Sequence, residues 1–288
     1  MFALLLSATR PRQWSKNFLI FIAGLTSGDA FILGNWPKLV FAFWLFTFAS
    51  ASVYLINDVR DKGIDSSHPK KKLRAIASGK LSSQTALSAA VAFSSISIIG
   101  VTALPKKAFF ILVTYILITV LYSLKLKYVR IIEVFIVSSG FVLRIWFGAA
   151  ILNVPMSAWL CVSVYAGSAM IVISKRYAEL RVNDPKIVRA VVRKYSQRSL
   201  QVSGLLAMLC LIITYILWTL YGQQGTITDR LFLRISCVPF VVGVIKFYIQ
   251  DKIHGVEEPE EFLLKDRTMQ ISGAIFLLLL TLGIFVNR

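Results

Sequence analysis

Four oxygen-bearing side chains stand within nine residues: Asn57, Asp58, Asp61 and Asp65, in the order N-D-x-x-D-x-x-x-D. If the apolar run before them continues as a helix, Asn57, Asp61 and Asp65 share one face, and Asp58 neighbours Asp61. Hard oxygen ligands gathered this way suit Mg²⁺, which is usually held by one or two carboxylates with water and substrate phosphates completing the octahedron. Three carboxylates without a cation would repel one another. Cationic and small residues follow at once: His68, Pro69, Lys70, Lys71, Lys72, Arg74, Ser78, Gly79 and Lys80. Pro69 ends the helix, and Lys and Arg supply donors to phosphate oxygens, Arg as a bidentate fork. The pattern therefore predicts Asp58, Asp61 and Asp65 as metal ligands and catalytic residues. Asn57, Lys70 and Arg74 are the expected substrate contacts. The plainer alternative is a solvated helix end whose lysines attract anionic lipid, at about 1 kcal/mol per charge.

The elements that position this stretch are apolar. The chain has 288 residues, is 57% hydrophobic and has a mean hydropathy of +0.71. Soluble domains are about 45–50% apolar, and the excess here sits in runs long enough to cross a bilayer. The expected spans are 17–33, 37–57, 83–103, 107–124, 131–151, 156–178, 199–221, 231–250 and 268–286. This predicts an all-α, polytopic membrane protein. The N-terminal stretch lacks the charge order and cleavage site of a signal peptide and is expected to be retained. Cys161, Cys210 and Cys237 lie in apolar runs without metal-ligand spacing, so they are expected as small buried hydrophobes.

A formal charge of +18 would point to nucleic acid in a soluble chain. Here its distribution points to the bilayer instead. Of the 32 Lys and Arg, 25 lie in the N-terminal arm, 58–82, 125–130, 175–198 and 246–267. Alternating spans put all of these on one side, which the positive-inside rule makes cytoplasmic, with the N-terminus inside. No nucleic-acid partner is expected. Twelve of the fourteen acidic residues fall on the same side, which that rule does not explain. An intermingled site for a metal and anionic groups explains it. The charged loops 58–82 and 175–198 lie four spans apart, as a weak internal duplication would place them.

Further residues stand out. Lys16 and Asn17 sit at the cytoplasmic mouth of the first span and are candidate phosphate contacts. Arg144 lies about three turns into the fifth span, where a charge costs roughly 2.5–3.5 kcal/mol, so it should face a cavity or a partner. Glu133 is too far along that helix to pair with it. Glu258 and Glu260 belong to an acidic loop that could form a lid. His68 and His254 are far apart in sequence, which argues against a zinc site.

The motif Asn57–Asp65 resembles the first aspartate-rich motif of the UbiA superfamily of intramembrane prenyltransferases, and the likeness extends over residues 1–288 as a single domain. It implies a bundle of about nine transmembrane helices around a lipid-lined cavity, with two aspartate-rich motifs holding Mg²⁺ and a diphosphate. The second motif, normally DxxxD, is replaced here by "SKRYAELRVND" (174–184), where Glu179 and Asp184 are acidic. Five segments look like one branch, the decaprenyl-phosphate phosphoribosyltransferases: "QWSKN" (13–17), "NDVRDKGIDSSHPKKKLRAIASG" (57–79), "YSLKLK" (122–127), "KRYAEL" (175–180) and "EPEEFLLKDR" (258–267). That branch implies transfer of 5-phosphoribose from phosphoribosyl diphosphate (PRPP) to a polyprenyl monophosphate at the bacterial inner membrane. The implied substrate contacts extend to Tyr122, Lys175, Arg176, Tyr177 and Glu179. A homo-oligomer is compatible with this reading. The runner-up is an aromatic polyprenyltransferase using a prenyl diphosphate and a 4-hydroxybenzoate-like acceptor. A non-catalytic lipid carrier is the alternative from another class.

Overall fold

The computed structural model describes residues 2–29, 32–69, 71–181, 191–222, 231–254, 262 and 265–285. It is all-α, with no strand among the described residues. Eight described helical stretches are long and apolar enough to cross a membrane. The helices fall into two compact units: Met1–Gly24 with Asp29–Val154, and Leu25–Gly28 with Pro155–Arg288.

The first unit holds α1 (Phe2–Ala8), α3 (Trp36–Arg60), α4 (Lys62–Ser66), α5 (Ser83–Val101), α6 (Lys106–Leu124) and α7 (Ile132–Leu152), and most of α2 (Ile20–Ser27). Pro37 starts α3 where a missing N–H costs nothing. Ser82 caps α5 by accepting from the Thr85 N–H at 3.0 Å. α3 packs along α5 and α6, and α6 against α7. Their shared core includes Leu39, Leu45, Phe46, Leu112, Phe147 and Ile20. At Gly148 a Cβ would collide with the Ile20 carbonyl oxygen, so only glycine lets α7 approach the start of α2 this closely.

The expected first span, 17–33, differs most from its prediction. Pro11–Leu19 is a 3₁₀ helix, and α2 is only eight residues long. Gly28, at φ 84°, turns the chain away and stops the helix as a left-handed residue does. The other eight expected spans match helices within four residues at their ends. One of them, 231–250, is interrupted.

The second unit holds α8 (Ala158–Leu180), α9 (Gln197–Tyr221), α10 (Leu231–Ile235), α11 (Cys237–His254) and α12 (Arg267–Phe285). α8 lies along α9, and α11 against α9 and α12. Pro239 cannot donate back into the preceding turn, and the helix breaks at Ser236 between α10 and α11. Ser236 is buried there, its Oγ 2.7 Å from the Tyr215 hydroxyl.

Candidate active site

The carboxyl end of α3 carries the acidic motif. Helical geometry lapses at Asp61 (φ −90°, ψ 2°) and resumes in α4. The Asp61 N–H still reaches the Asn57 carbonyl at 2.9 Å, and the Asp65 N–H reaches that of Asp61 at 2.8 Å. The side chains resolve into two groups. Asn57 Nδ2 donates to Asp61 Oδ2 at 3.1 Å, as the four-residue spacing predicts. Asp65, expected on that same face, instead joins Asp58, seven residues back, through the guanidinium of Arg74. Arg74 Nη1 lies 2.6 Å from Asp65 Oδ2 and 3.3 Å from Asp58 Oδ1. Seven residues are nearly two full helical turns, so this pairing is equally helical.

Each motif carboxylate meets a cation. Arg10 Nη2 donates to Asp58 Oδ1, with its guanidinium 5.2 Å from the Tyr54 ring centre. Lys127 Nζ donates to Asp61 Oδ1 and lies 3.3 Å from Asn57 Oδ1. Asp58 and Asp65 are both only 4% exposed. Charges so desolvated need partners, and Arg10, Arg74 and Lys127 provide them.

Sequence reasoning missed Arg10 and Lys127 as members of this cluster. Lys127 lay in plain view within "YSLKLK", whereas Arg10 carried no signal beyond its place before Pro11. Tyr122 is half-buried in the last turn of α6, five residues before Lys127.

Asn17 is wholly buried and engaged at both ends of its amide. It donates to Thr47 Oγ1 at 2.9 Å and accepts from Arg144 Nε at 2.8 Å. Arg144 also donates to the Gly140 carbonyl at 2.6 Å and the Tyr115 hydroxyl at 3.0 Å. The Phe46, Tyr115 and Phe141 ring centres lie 5.0, 4.9 and 5.7 Å from its guanidinium. This intramembrane charge is thus met by neutral acceptors and aromatic faces. Lys16 Nζ lies 5.7 Å from the Phe141 ring centre.

In the second unit, Lys175, Arg176, Tyr177 and Glu179 occupy the last turns of α8. Arg176 Nη1 pairs with Glu179 Oε2 at 3.2 Å. Gln201 Nε2 donates to the Tyr177 hydroxyl at 2.9 Å, and Ser174 donates to Asp251 at 2.6 Å. Ser174, Tyr177, Gln201 and Asp251 line a small cavity with Tyr248 and Lys252. Lys70, Asp184, Glu258 and Glu260 lie outside the described residues.

The model of the UbiA prenyltransferase family matches residues 18–254. The chain therefore belongs to the UbiA prenyltransferase family. Within it, the chain is 29% identical over 272 residues to a decaprenyl-phosphate phosphoribosyltransferase of Mycobacterium tuberculosis, covering 92% of this chain and 88% of the relative. A second protein of that name, from Mycolicibacterium smegmatis, is 30% identical over 279 residues, covering 93% of this chain and 88% of its own length. A UbiA homologue from Archaeoglobus fulgidus, solved bound to DMAPP and Mg²⁺, has a TM-score of 0.75 at 16% identity, covering 98% of each chain. At that identity the likeness shows the fold.

Among the described residues, no group of three His, Cys, Asp or Glu side chains converges as a metal cage. Mg²⁺ does not require one, because it keeps waters and takes substrate phosphates as ligands. Asp58, Asp61 and Asp65 fit that ion by donor type, and the cations beside them fit the phosphates that would accompany it.

Proposed function

We propose that the chain transfers 5-phosphoribose from PRPP to a polyprenyl monophosphate of the decaprenyl type, releasing diphosphate at the cytoplasmic face of a bacterial inner membrane. The observation that carries this reading is the likeness, over more than nine-tenths of the chain, to two proteins named for that transfer. The charge chemistry supports it. PRPP bears a diphosphate and a second phosphate, and its lipid acceptor bears a third. One carboxylate group for a metal–diphosphate and many separate cations suit such a pair of substrates.

In this reading residues 1–288 act as one catalytic domain. Asp58, Asp61 and Asp65 hold Mg²⁺, which when bound neutralises the diphosphate leaving group. Arg74 and Lys70 contact phosphate oxygens, and Asn57 orients Asp61. Lys16 and Tyr122 complete the phosphate contacts. Asn17, its amide engaged at both ends, acts through position. Lys175, Arg176, Tyr177 and Glu179 contact substrate phosphate or ribose. The bond between ribose C1 and the diphosphate oxygen breaks as a lipid phosphate oxygen bonds C1 from the opposite face, inverting that centre. An ionised phosphate is already nucleophilic, so no strong general base is needed. Positioning and charge neutralisation do most of the catalysis.

The test is diphosphate release from PRPP by purified protein with Mg²⁺ and a polyprenyl phosphate, beside Asp61→Ala. Lipid-dependent release that falls at least about 100-fold in the variant is expected. Release only from a prenyl diphosphate with 4-hydroxybenzoate would overturn the reading.

A further inference from the structure

We propose that Arg10 is a resident counter-cation of the site, which competes with the divalent metal for Asp58 and passes to the diphosphate when metal and diphosphate enter together. This rests on the reading that the site takes a metal-bound diphosphate.

Three observations converge on Arg10. The first is its hold on Asp58. Arg10 Nη2 bonds Asp58 Oδ1, while the other guanidinium near that oxygen, Arg74, is at 3.3 Å and bonds Asp65 more closely, at 2.6 Å. Asp58 is thus chiefly the partner of Arg10. Its side chain is 5% exposed and its Oδ1 is taken by Arg10, so a metal ion that takes that oxygen displaces the bond. The second is backbone strain. Arg10 sits in the left-handed region, at φ 57° and ψ 66°, directly before Pro11. That conformation is costly for a residue with a side chain, and a following proline adds to the cost. Such strain persists where surrounding contacts impose it, and the Asp58 pair is one such contact. The third is freedom to move. The Arg10 side chain is 28% exposed, so it can swing outward while Asp58 stays buried.

Charge balance decides the direction. Asp58, Asp61 and Asp65 carry three negative charges, and their partners Arg10, Arg74 and Lys127 carry three positive ones. A divalent cation entering alone would leave that balance positive by two and strand Arg10 without its acceptor. A diphosphate entering with the metal more than offsets those two charges and offers the guanidinium a bidentate partner. Arg10 therefore opposes the metal alone and favours the metal–diphosphate. A merely structural arginine would not act on the two with opposite sign.

The experiment is equilibrium dialysis of full-length protein against Mn²⁺ alone, and against Mn²⁺ premixed with inorganic pyrophosphate. Wild type, Arg10→Gln and Arg10→Lys are compared, with a melting curve confirming the fold of each. Arg10→Gln should bind Mn²⁺ alone about 3–10-fold tighter and Mn²⁺–pyrophosphate about 10-fold weaker, since it removes a competitor from the carboxylate and a donor from the phosphate. Arg10→Lys keeps the charge without the fork and should shift both affinities the same way by less; it carries the test if the glutamine variant does not fold. Affinities that fall together, or neither changing, would overturn the proposal. Opposite shifts without PRPP turnover would leave it standing and remove PRPP as the donor. PRPP turnover with parallel shifts would do the reverse.

Discussion

Asp58 and Asp65 share one guanidinium, and Asn57 and Asp61 share one ammonium. This division follows from residue spacing, because positions four and seven apart on a helix return to nearly the same azimuth. The acids were legible in the sequence for that reason. Their partners were not, since Arg10 and Lys127 come from segments 48 and 66 residues away from the acids they bind. Arg144 follows the same logic in the apolar interior. Arg144→Leu leaves the Asn17 and Tyr115 oxygens without their donor, and each orphaned buried group costs about 1–3 kcal/mol. Thermal melting in detergent should show a clear loss of stability, with Arg144→Lys recovering only part of it because a single ammonium cannot span three acceptors. An unchanged melting temperature in the leucine variant would remove that structural role.

At the scale of elements, the short connection between α6 and α7 carries Lys127 to Asp61. It ends in a tight turn centred on Ile131, whose φ is 70° and ψ −50°. The Ile132 N–H reaches the Arg130 carbonyl at 2.9 Å across it. This is a γ-turn of the uncommon, strained hand, and isoleucine, branched at Cβ, is among the worst residues for it. Strain of this kind costs about 1–3 kcal/mol, whereas the extra freedom glycine gives the unfolded chain costs about 0.5–1 kcal/mol. Ile131→Gly should therefore raise the melting temperature, or at least not lower it. A marked fall would mean that the side chain, though 66% exposed, makes a contact worth more than the strain.

At the scale of the whole molecule, the charge partition along the chain predicts orientation. Large apolar side chains such as Val91, Ile99, Phe110, Leu206 and Leu277 are exposed on α5, α6, α9 and α12. Such surfaces call for lipid or another protein surface against them. With Cys161, Cys210 and Cys237 replaced by serine, a membrane-impermeant maleimide should label Lys106→Cys in intact cells. It should label Ile64→Cys only in inside-out vesicles. The reverse pattern would put the acidic motif outside and sink the cytoplasmic reading.

Hydropathy and charge, read along the chain, determined the all-α membrane class, eight of the spans and the acidic motif. These are properties of local runs: a bilayer selects for length and apolarity, and a helix converts spacing into a shared face. The short, 3₁₀-led first span was not legible: the expected helix ran through Gly28 to residue 33, and the burial of Asn17 beneath Arg144 depends on contact with a helix more than a hundred residues away. Tertiary structure alone decided that Arg10 meets Asp58 and Lys127 meets Asp61, because such pairing depends on where distant segments meet, and the spacing of residues along one segment carries no record of it.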